Sequence, residues 1–126
     1  MSRPKQHRKI AGPPLMKGYK PFGIPRRELE TLVLHYDEYE AFRLLDYEGL
    51  TQEQAAVRMQ ISRPTLTRVY DKARKTLARA FVEGKMIVIE GGQVKFSEEW
   101  FRCGRCYKIV KAEEKESEKC EECASN

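Results

Sequence analysis

The sequence predicts a mainly α-helical fold with a small β-hairpin and a metal-stabilised C-terminal segment. Apolar residues recur at helical spacing through residues 51–80, among residues that favour helix starts and turns. A β-rich run interrupted by two glycines follows at residues 86–96, and two CxxC pairs lie near the C-terminus. The chain therefore divides into a basic extended arm at 1–27, a helical domain with the hairpin at 28–97, and a metal-binding segment at 98–126.

Charge is unevenly distributed along the 126 residues, which carry a formal net charge of +5. Lys and Arg number eight against two acids in residues 1–35 and seven against three in residues 51–83, whereas residues 36–50 hold five acids and one Arg. Two basic regions of this kind favour binding to a polyanionic partner over the alternative that these charges only keep the surface soluble. No run has the length of a transmembrane helix or the form of a secretory signal, so we expect a cytoplasmic protein without a membrane partner.

The arm at residues 1–27 contains five of the six prolines and three glycines, which exclude a continuous helix. A basic extended arm can follow phosphates or enter a minor groove. The arm residues that we expect to contact DNA are Arg3, Lys5, Arg8 and Lys9. A solubilising tail is the alternative that the sequence leaves open, and residues 17–25 favour ordered packing.

Between the arm and the main helices, residues 28–35 favour a short strand over a helix start, because the segment is brief and contains β-branched residues. The block DEYEAFRLLDYEGL at 37–50 then predicts an amphipathic helix that ends at Gly49. A helix dipole favours negative charge in the first turn. Three acids fall there, namely Asp37, Glu38 and Glu40.

The next stretch has the signals of two helices joined by a tight turn. Thr51 favours an N-cap, with Gln54 placed to complete a capping box. After a turn at residues 60–62, Ser62 favours a second N-cap and Pro64 lies in the first turn, where a missing N–H has no cost. The apolar stripe of the second helix consists of Leu66, Val69, Tyr70, Ala73 and Leu77. This arrangement predicts a helix-turn-helix.

The second helix is cationic opposite its apolar stripe, which suits insertion into a DNA major groove. The side chains that we expect to reach base edges from its N-terminal half are Arg63, Thr65, Thr67 and Arg68. We expect phosphates to be held by Lys72 and Lys75 on the same helix and by Arg58 on the preceding one. The alternative is an ordinary amphipathic pair with solvated cations, which the pattern alone does not distinguish.

Longer blocks of the chain carry a resemblance. The run EAFRLLDYEGLTQEQAAVRMQISRPTLTRVYDKARKTL resembles region four of bacterial sigma factors, whose helices read promoter DNA. GIPRRELE, DEYEAFRLLDYEGLTQEQAA, SRPTLTRV and IEGG look like an uncharacterised prokaryotic family of small predicted DNA-binding proteins, over roughly the first three quarters of the chain. The resemblance implies a sigma region four-like helix-turn-helix. Two residues depart from the pattern: Gln60 replaces the common turn glycine, and Asp46 replaces an apolar residue.

After the helices, the period of the sequence changes to that of a strand. Residues 86–90 form a β-rich run, Gly91 and Gly92 favour a tight turn, and residues 93–96 can return as a second strand. The sequence therefore predicts a β-hairpin, with residues 29–34 as a candidate third strand.

Four cysteines form two CxxC pairs with thirteen residues between them: Cys103, Cys106, Cys120 and Cys123. Two such pairs can surround one metal tetrahedrally, which predicts one structural Zn²⁺ per chain in a zinc ribbon. The segment has few apolar residues, so a metal is a natural source of its stability. An iron site, a redox CxxC and disulfides are the alternatives that the spacing leaves open.

Together these features predict a transcriptional regulator that binds double-stranded DNA, with a homodimer on a two-fold site as one expected form. The main alternative is an adaptor that docks on RNA polymerase, or on another protein of the transcription machinery, through the zinc ribbon. An RNA-binding protein that uses the ribbon ranks below it. We expect no enzymatic activity, because the chain lacks GxSxG, P-loop and HExxH motifs, and neither His7 nor His35 has an evident catalytic partner.

Overall fold

The structure is a computed structural model that describes residues 8–92 in full and the backbone of three short strands beyond them. Within these residues the fold is mixed, with three α-helices and a small three-stranded sheet. The helices are α1 (Tyr36–Phe42), α2 (Gln52–Met59) and α3 (Arg63–Glu83). The strands are β1 (Arg8–Ile10), β2 (Gly18–Tyr19), β3 (Thr31–Leu34), β4 (Met86–Ile89), β5 (Val94–Phe96), β6 (Trp100–Arg102) and β7 (Ile109–Lys111). A short 3₁₀ helix, Arg26–Glu28, precedes β3.

Helix α1 begins one residue before the predicted start and continues into a wider turn. The backbone N–H of His35 donates to Glu38 Oε1 at 3.0 Å, which satisfies one donor at the helix start. Residues Arg43–Tyr47 form a π-helical turn, in which the N–H of Glu48 donates to the carbonyl of Arg43 at 2.9 Å. Gly49 then ends the segment at φ 74°, as the sequence predicts.

Both predicted caps around the turn between α2 and α3 are confirmed. Thr51 and Gln54 exchange reciprocal bonds, with the N–H of Gln54 donating to Thr51 Oγ1 at 3.2 Å and the N–H of Thr51 to Gln54 Oε1 at 3.0 Å. The Ser62 hydroxyl oxygen accepts from the N–H of Thr65 at 3.3 Å. Thr51 is thus the N-cap of α2 and Ser62 the N-cap of α3, so both helices begin where the sequence predicts.

The turn itself contains a left-handed residue that is not glycine. Gln60 has φ 57° and ψ 43°, and its N–H donates to the carbonyl of Val57 at 3.1 Å. The N–H of Ile61 donates to the carbonyl of Ala56, also at 3.1 Å. This pair of bonds is the Schellman arrangement, which satisfies the last carbonyls of α2 at the cost of a strained glutamine.

Two buried clusters hold the elements together. The first joins the π-helical turn and the three helices through Ala41, Leu44, Ala55, Ala56, Met59, Leu66 and Val69. The second fastens the sheet to α3 through Leu34, Ala73 and Ile89. The small residues of α2 are fully or almost fully buried, so α2 and α3 can approach closely. The predicted apolar stripe of α3 is therefore confirmed as the face that meets both clusters.

The three-stranded sheet has the order β2-β4-β3, with β3 parallel and β2 antiparallel to β4. The strand predicted at residues 28–35 is thus confirmed as β3. Gly18 is required in β2, because a Cβ there would lie 1.9 Å from the carbonyl oxygen of Ile87. Residues from the predicted arm therefore form one edge of the sheet.

The predicted β-hairpin is wrong. Strand β4 is central in its sheet, so both of its edges are occupied and none is free for β5. The two glycines, Gly91 and Gly92, have φ of 71° and 96° and lead the chain across the start of α1, where the N–H of Tyr36 donates to the carbonyl of Gly91 at 3.0 Å. Strand β5 pairs instead with β1, in parallel.

An extended arm does not describe residues 8–14, which pack on the body, whereas strand β2 agrees with the ordered packing predicted for residues 17–25. Ile10 in β1 is only 1% exposed, and Pro14 is fully buried. The N–H of Ala11 donates to Glu40 Oε2 at 2.8 Å. A buried carboxylate on α1 therefore supplies a partner that composition alone does not reveal, and the chain packs onto the body at β1 and at Pro14.

Candidate nucleic-acid interface

The outer face of α3 carries the side chains that the sequence assigns to DNA. Arg63, Thr67, Arg68, Lys72 and Lys75 are exposed, and Thr65 is half-buried. Arg68, Lys72 and Lys75 follow each other at i, i+4 and i+7, so they form one ridge along the helix, which we call the cationic ridge. Arg63 and Thr67 lie one turn apart beside this ridge.

Arg63 and Thr67 connect α3 to the start of α2. The hydroxyl of Thr67 donates to Gln52 Oε1 at 2.6 Å, and Arg63 Nη1 lies 3.2 Å from Glu53 Oε1. The Arg63–Glu53 pair is largely exposed on both sides, so it contributes little to stability. A phosphate could therefore replace Glu53 as the partner of Arg63 at small cost.

The cationic ridge is positively charged at its N-terminal end because its first two members pair with no acid in the part of the chain that the structure describes. Arg68 Nη2 donates to Thr65 Oγ1 at 3.2 Å, which orients the guanidinium along α3. Among the residues that the structure describes, neither Arg68 nor Lys72 forms an ion pair. Lys75, in contrast, pairs with Asp71 at 3.0 Å on the solvent-exposed face.

The remaining predicted contacts are placed differently. Arg58 lies on α2 and its Nη1 is 3.6 Å from Glu48 Oε2. Arg8 forms an ion pair with Asp37, and Lys9 is half-buried in β1. The structure brings neither Arg8 nor Lys9 out as a free arm. Arg3 and Lys5 lie outside the described residues.

A cleft of about 800 Å³ opens between the start of α1, the turn after α2 and the first turns of α3. Its lining includes Arg8, Arg68 and Lys72 as well as two acids, Asp37 and Glu38. The acids are 4% and 2% exposed. The cleft therefore joins the cationic ridge to a buried acidic floor, an arrangement that the sequence analysis did not predict.

The acidic floor is made by the first turn of α1. Asp37 accepts from the backbone N–H of Glu38 at 2.9 Å and pairs with Arg8, while Glu40 accepts from Arg43 Nε at 2.7 Å. The hydrogen bond to the Glu40 carboxylate raises the pKa of the Arg43 guanidinium. Among the described residues, Glu38 Oε2 has no hydrogen-bond donor although it is buried. The placement of Asp37 and Glu38 together in the first turn of α1 was the available signal for this site.

Asp46, which departs from the sigma-like pattern, has a clear role in the structure. It accepts a hydrogen bond from the hydroxyl of Tyr70 at 2.9 Å, and thereby joins the π-helical turn to α3. Burial, and after it this hydrogen bond, raises the pKa of Tyr70 above 10.0. The guanidinium of Arg74 lies 5.5 Å from the centre of the same ring. A polar partner at position 46 therefore replaces the apolar contact that the pattern would supply.

The four cysteines lie outside the described residues. Within the described part of the chain, no group of three or more His, Cys, Asp or Glu side chains could hold a metal. Strands β6 and β7 pair in antiparallel orientation, with Arg102 opposite Ile109. The connection between these two strands contains Cys103 and Cys106.

A family model described as "Protein of unknown function DUF134" matches residues 1–97. This chain belongs to the DUF134 family. The match confirms the expected membership of an uncharacterised family over the first three quarters of the chain.

Other DUF134-like relatives carry the name UPF0251 protein. The relative from Chloroherpeton thalassium is 47% identical over 126 residues, which cover 99% of this chain and 83% of the relative. The one from Halothermothrix orenii is 44% identical over 106 residues, which cover 84% and 78% of the two chains. The one from Moorella thermoacetica is 42% identical over 125 residues, which cover 99% and 84%. No solved structure matches the chain.

The DUF134 match ends before the cysteine-rich segment, whereas two of these relatives align over nearly the whole chain. The family match therefore includes the three helices and the three-stranded sheet, and the cysteine-rich segment lies outside it. In the part of this DUF134 chain that the structure describes, no helix combines the length and apolarity needed to cross a bilayer.

Proposed function

We propose that the protein is a DNA-binding transcriptional regulator that inserts the N-terminal half of α3 into the major groove. The observation that carries the proposal is the cationic ridge, presented beside a capped three-residue turn and continued by Arg63 and Thr67. Its members Arg68 and Lys72 have no acidic partner among the described residues, so their charge is available to a polyanion.

The proposal assigns different tasks to different side chains. Arg63, Thr65, Thr67 and Arg68 reach base edges, because the N-terminal turns of a groove-inserted helix lie nearest the bases. Lys72, Lys75 and Arg58 hold phosphates, which sets affinity but not sequence preference. Arg3, Lys5, Arg8 and Lys9 were expected to act as a phosphate-binding arm. The docked strand β1 limits that role to Arg3 and Lys5, because Arg8 is paired with a buried acid.

A single module of this size offers limited contact area, so the proposal includes a homodimer on a two-fold DNA site. It also includes one structural Zn²⁺, held as thiolates by Cys103, Cys106, Cys120 and Cys123. The pairing of β6 with β7 supports this site, because a CxxC between two paired strands is the arrangement of a zinc knuckle.

The test begins with selection of bound duplexes from a random pool, followed by binding isotherms with the selected sequence. Arg68→Ala should weaken binding by about 1–3 kcal/mol and flatten preference at one base position. Lys75→Ala should weaken all duplexes alike and lower the salt dependence. Arg27→Ala is the matched control, because it removes a cation near the opposite end of α3. Arg27 lies in the 3₁₀ helix that follows Ile24, and Ile24 packs beside Gly84 at the end of α3.

Wild-type duplex binding by both folded α3 variants would contradict groove insertion. Binding of single-stranded RNA or of purified RNA polymerase without duplex binding would instead favour the alternative function, in which the cysteine-rich segment is a docking surface. Binding measurements with duplex DNA, single-stranded RNA and RNA polymerase therefore separate the regulator from the RNA-binding protein and from the adaptor.

A further inference from the structure

We propose that the cleft beside α3 binds a small zwitterion of the α-amino acid class. The cleft has a volume of about 800 Å³, which lies in the range of small-molecule sites. Its lining has opposite charges in two places: the acidic floor from α1 and the first two cations of the cationic ridge. A ligand that carries one charge of each sign matches this lining better than a simple anion or cation does.

Glu38 supplies the recognition of the ammonium end. One of its oxygens, Oε1, accepts from the backbone N–H of His35 at 3.0 Å. The other, Oε2, is buried and has no donor among the described residues, although Glu38 is only 2% exposed. An unpaired buried carboxylate oxygen costs free energy, and a ligand ammonium would remove that cost by donating to it.

The neighbouring acid cannot take this role, because its oxygens already have partners. Asp37 Oδ2 pairs with Arg8, and Oδ1 accepts from the N–H of Glu38 at 2.9 Å. The backbone of Gly92 lies close beside the same carboxylate, since a Cβ added at Gly92 would come within 3.1 Å of Oδ1. Glu38 is thus the acid of the floor that has an unsatisfied acceptor oxygen among the described residues.

Arg68 and Lys72 supply the recognition of the carboxylate end. Both line the cleft, and neither has an acidic partner within the described residues. The hydroxyl of Thr65 holds the guanidinium of Arg68 at 3.2 Å, so one of the two donors is oriented before the ligand arrives. A carboxylate between a guanidinium and an ammonium would form charge-assisted hydrogen bonds.

Binding has a consequence that rests on the proposed function. The carboxylate of the ligand would occupy the same two cations that the proposed interface offers to DNA. The amino acid would therefore compete with duplex binding, and the protein would act as a ligand-responsive regulator. The binding step itself does not depend on DNA, so the two proposals are separable by experiment.

The test is calorimetric titration of the full chain, without DNA, with each standard α-amino acid at millimolar concentration. We expect saturable binding of at least one free amino acid. Its N-acetyl derivative, which lacks the ammonium, and its amide, which lacks the carboxylate, should not bind. Inorganic phosphate at matched ionic strength is the control for a simple anion.

Lys72→Ala and Glu38→Gln should each weaken this binding by about tenfold, because each removes a hydrogen bond to a charged group. Arg74→Ala is the matched control on α3, since Arg74 stacks on Tyr70 and does not line the cleft. If Glu38→Gln fails to fold, the exposed Lys72 variant decides the outcome.

Three results would overturn the proposal: no amino acid binds, the N-acetyl form binds as well as the free form, or phosphate binds as tightly. Duplex binding is measured separately on the same preparations. Amino acid binding without duplex binding would refute the regulator and leave the site intact, whereas duplex binding without amino acid binding would refute the site alone.

Discussion

At the scale of single residues, the chain tolerates a strained turn residue and buries a cluster of acids. Gln60 adopts the left-handed conformation that glycine commonly takes in such turns. Asp37 and Glu38 lie in the first turn of α1 as expected, whereas Glu40 falls just beyond it, and all three are buried. Asp37 and Glu40 are paired with Arg8 and Arg43, so neither of these two acids is a free charge on the outer surface.

Gln60→Gly should raise the free energy of unfolding by about 0.5–1 kcal/mol. Glycine removes the strain of the left-handed conformation, and the greater backbone entropy of glycine in the unfolded chain offsets only part of that gain. Chemical denaturation is the measurement. Gln60→Ala is the matched control, because it shortens the side chain and keeps the strain. Equal stability of the glycine and alanine variants would show that the strain at φ 57° has no energetic weight.

The pH dependence of stability should include Tyr70. Its pKa is raised by burial first and then by the hydrogen bond to Asp46. The folded state therefore holds the phenol proton more tightly, so this contribution is present below the unfolded value near 10.0 and is lost as the pH rises through the folded pKa. Tyr70→Phe should make the loss of stability above pH 10 shallower, as denaturation curves at several alkaline pH values would measure. An unchanged slope would contradict the assignment.

At the scale of elements, β1 is the part that sequence reasoning misjudged. It was assigned to a basic arm, yet it pairs with β5 and anchors Ile10 in the interior. Arg8 supplies a counter-ion for Asp37 on α1. The strand therefore helps to build the cleft and is not a separate binding arm.

Ile10→Ala should lower the free energy of unfolding by about 2–5 kcal/mol, because the side chain is fully buried and leaves a cavity. Lys9→Ala, one position earlier in the same strand, should change it by less than about 0.5 kcal/mol. Thermal and urea denaturation of the two variants give the comparison. Equal, small effects would restore the arm that the sequence predicts.

At the scale of the whole molecule, the proposed zinc site would give stability a second source besides helical packing. The buried residues of the two clusters lie between positions 34 and 89, whereas the proposed zinc site would stabilise residues 98–126. Helical packing and metal binding are therefore expected to fail independently.

Chelation of the metal should disorder residues 98–126 and leave the helical circular dichroism signal nearly unchanged, because metal binding is the main source of folding energy in such segments. Metal analysis of protein purified without added metal should give one zinc per chain. Hydrogen exchange before and after chelation would locate the loss. Bound iron would support the electron-transfer alternative, and four reactive thiols without metal would remove the zinc site.

The sequence by itself determined the local structure. Caps at Thr51 and Ser62, the stop at Gly49 and the apolar stripe of α3 could all be predicted, because each depends on residues within one or two turns. The same pattern placed the cationic ridge on the outer face of α3. These elements carry most of the proposed DNA interface.

Only the tertiary structure decided which strands pair and what the acids of α1 contact. Two glycines after β4 favour a hairpin locally, but β2 and β3 already occupy both edges of β4, and β5 pairs with β1 instead. The Arg8–Asp37 pair and the cleft likewise join segments that are far apart in the chain. Such contacts depend on which edges and charges remain free after the helices pack, and that competition is not contained in any local stretch of sequence.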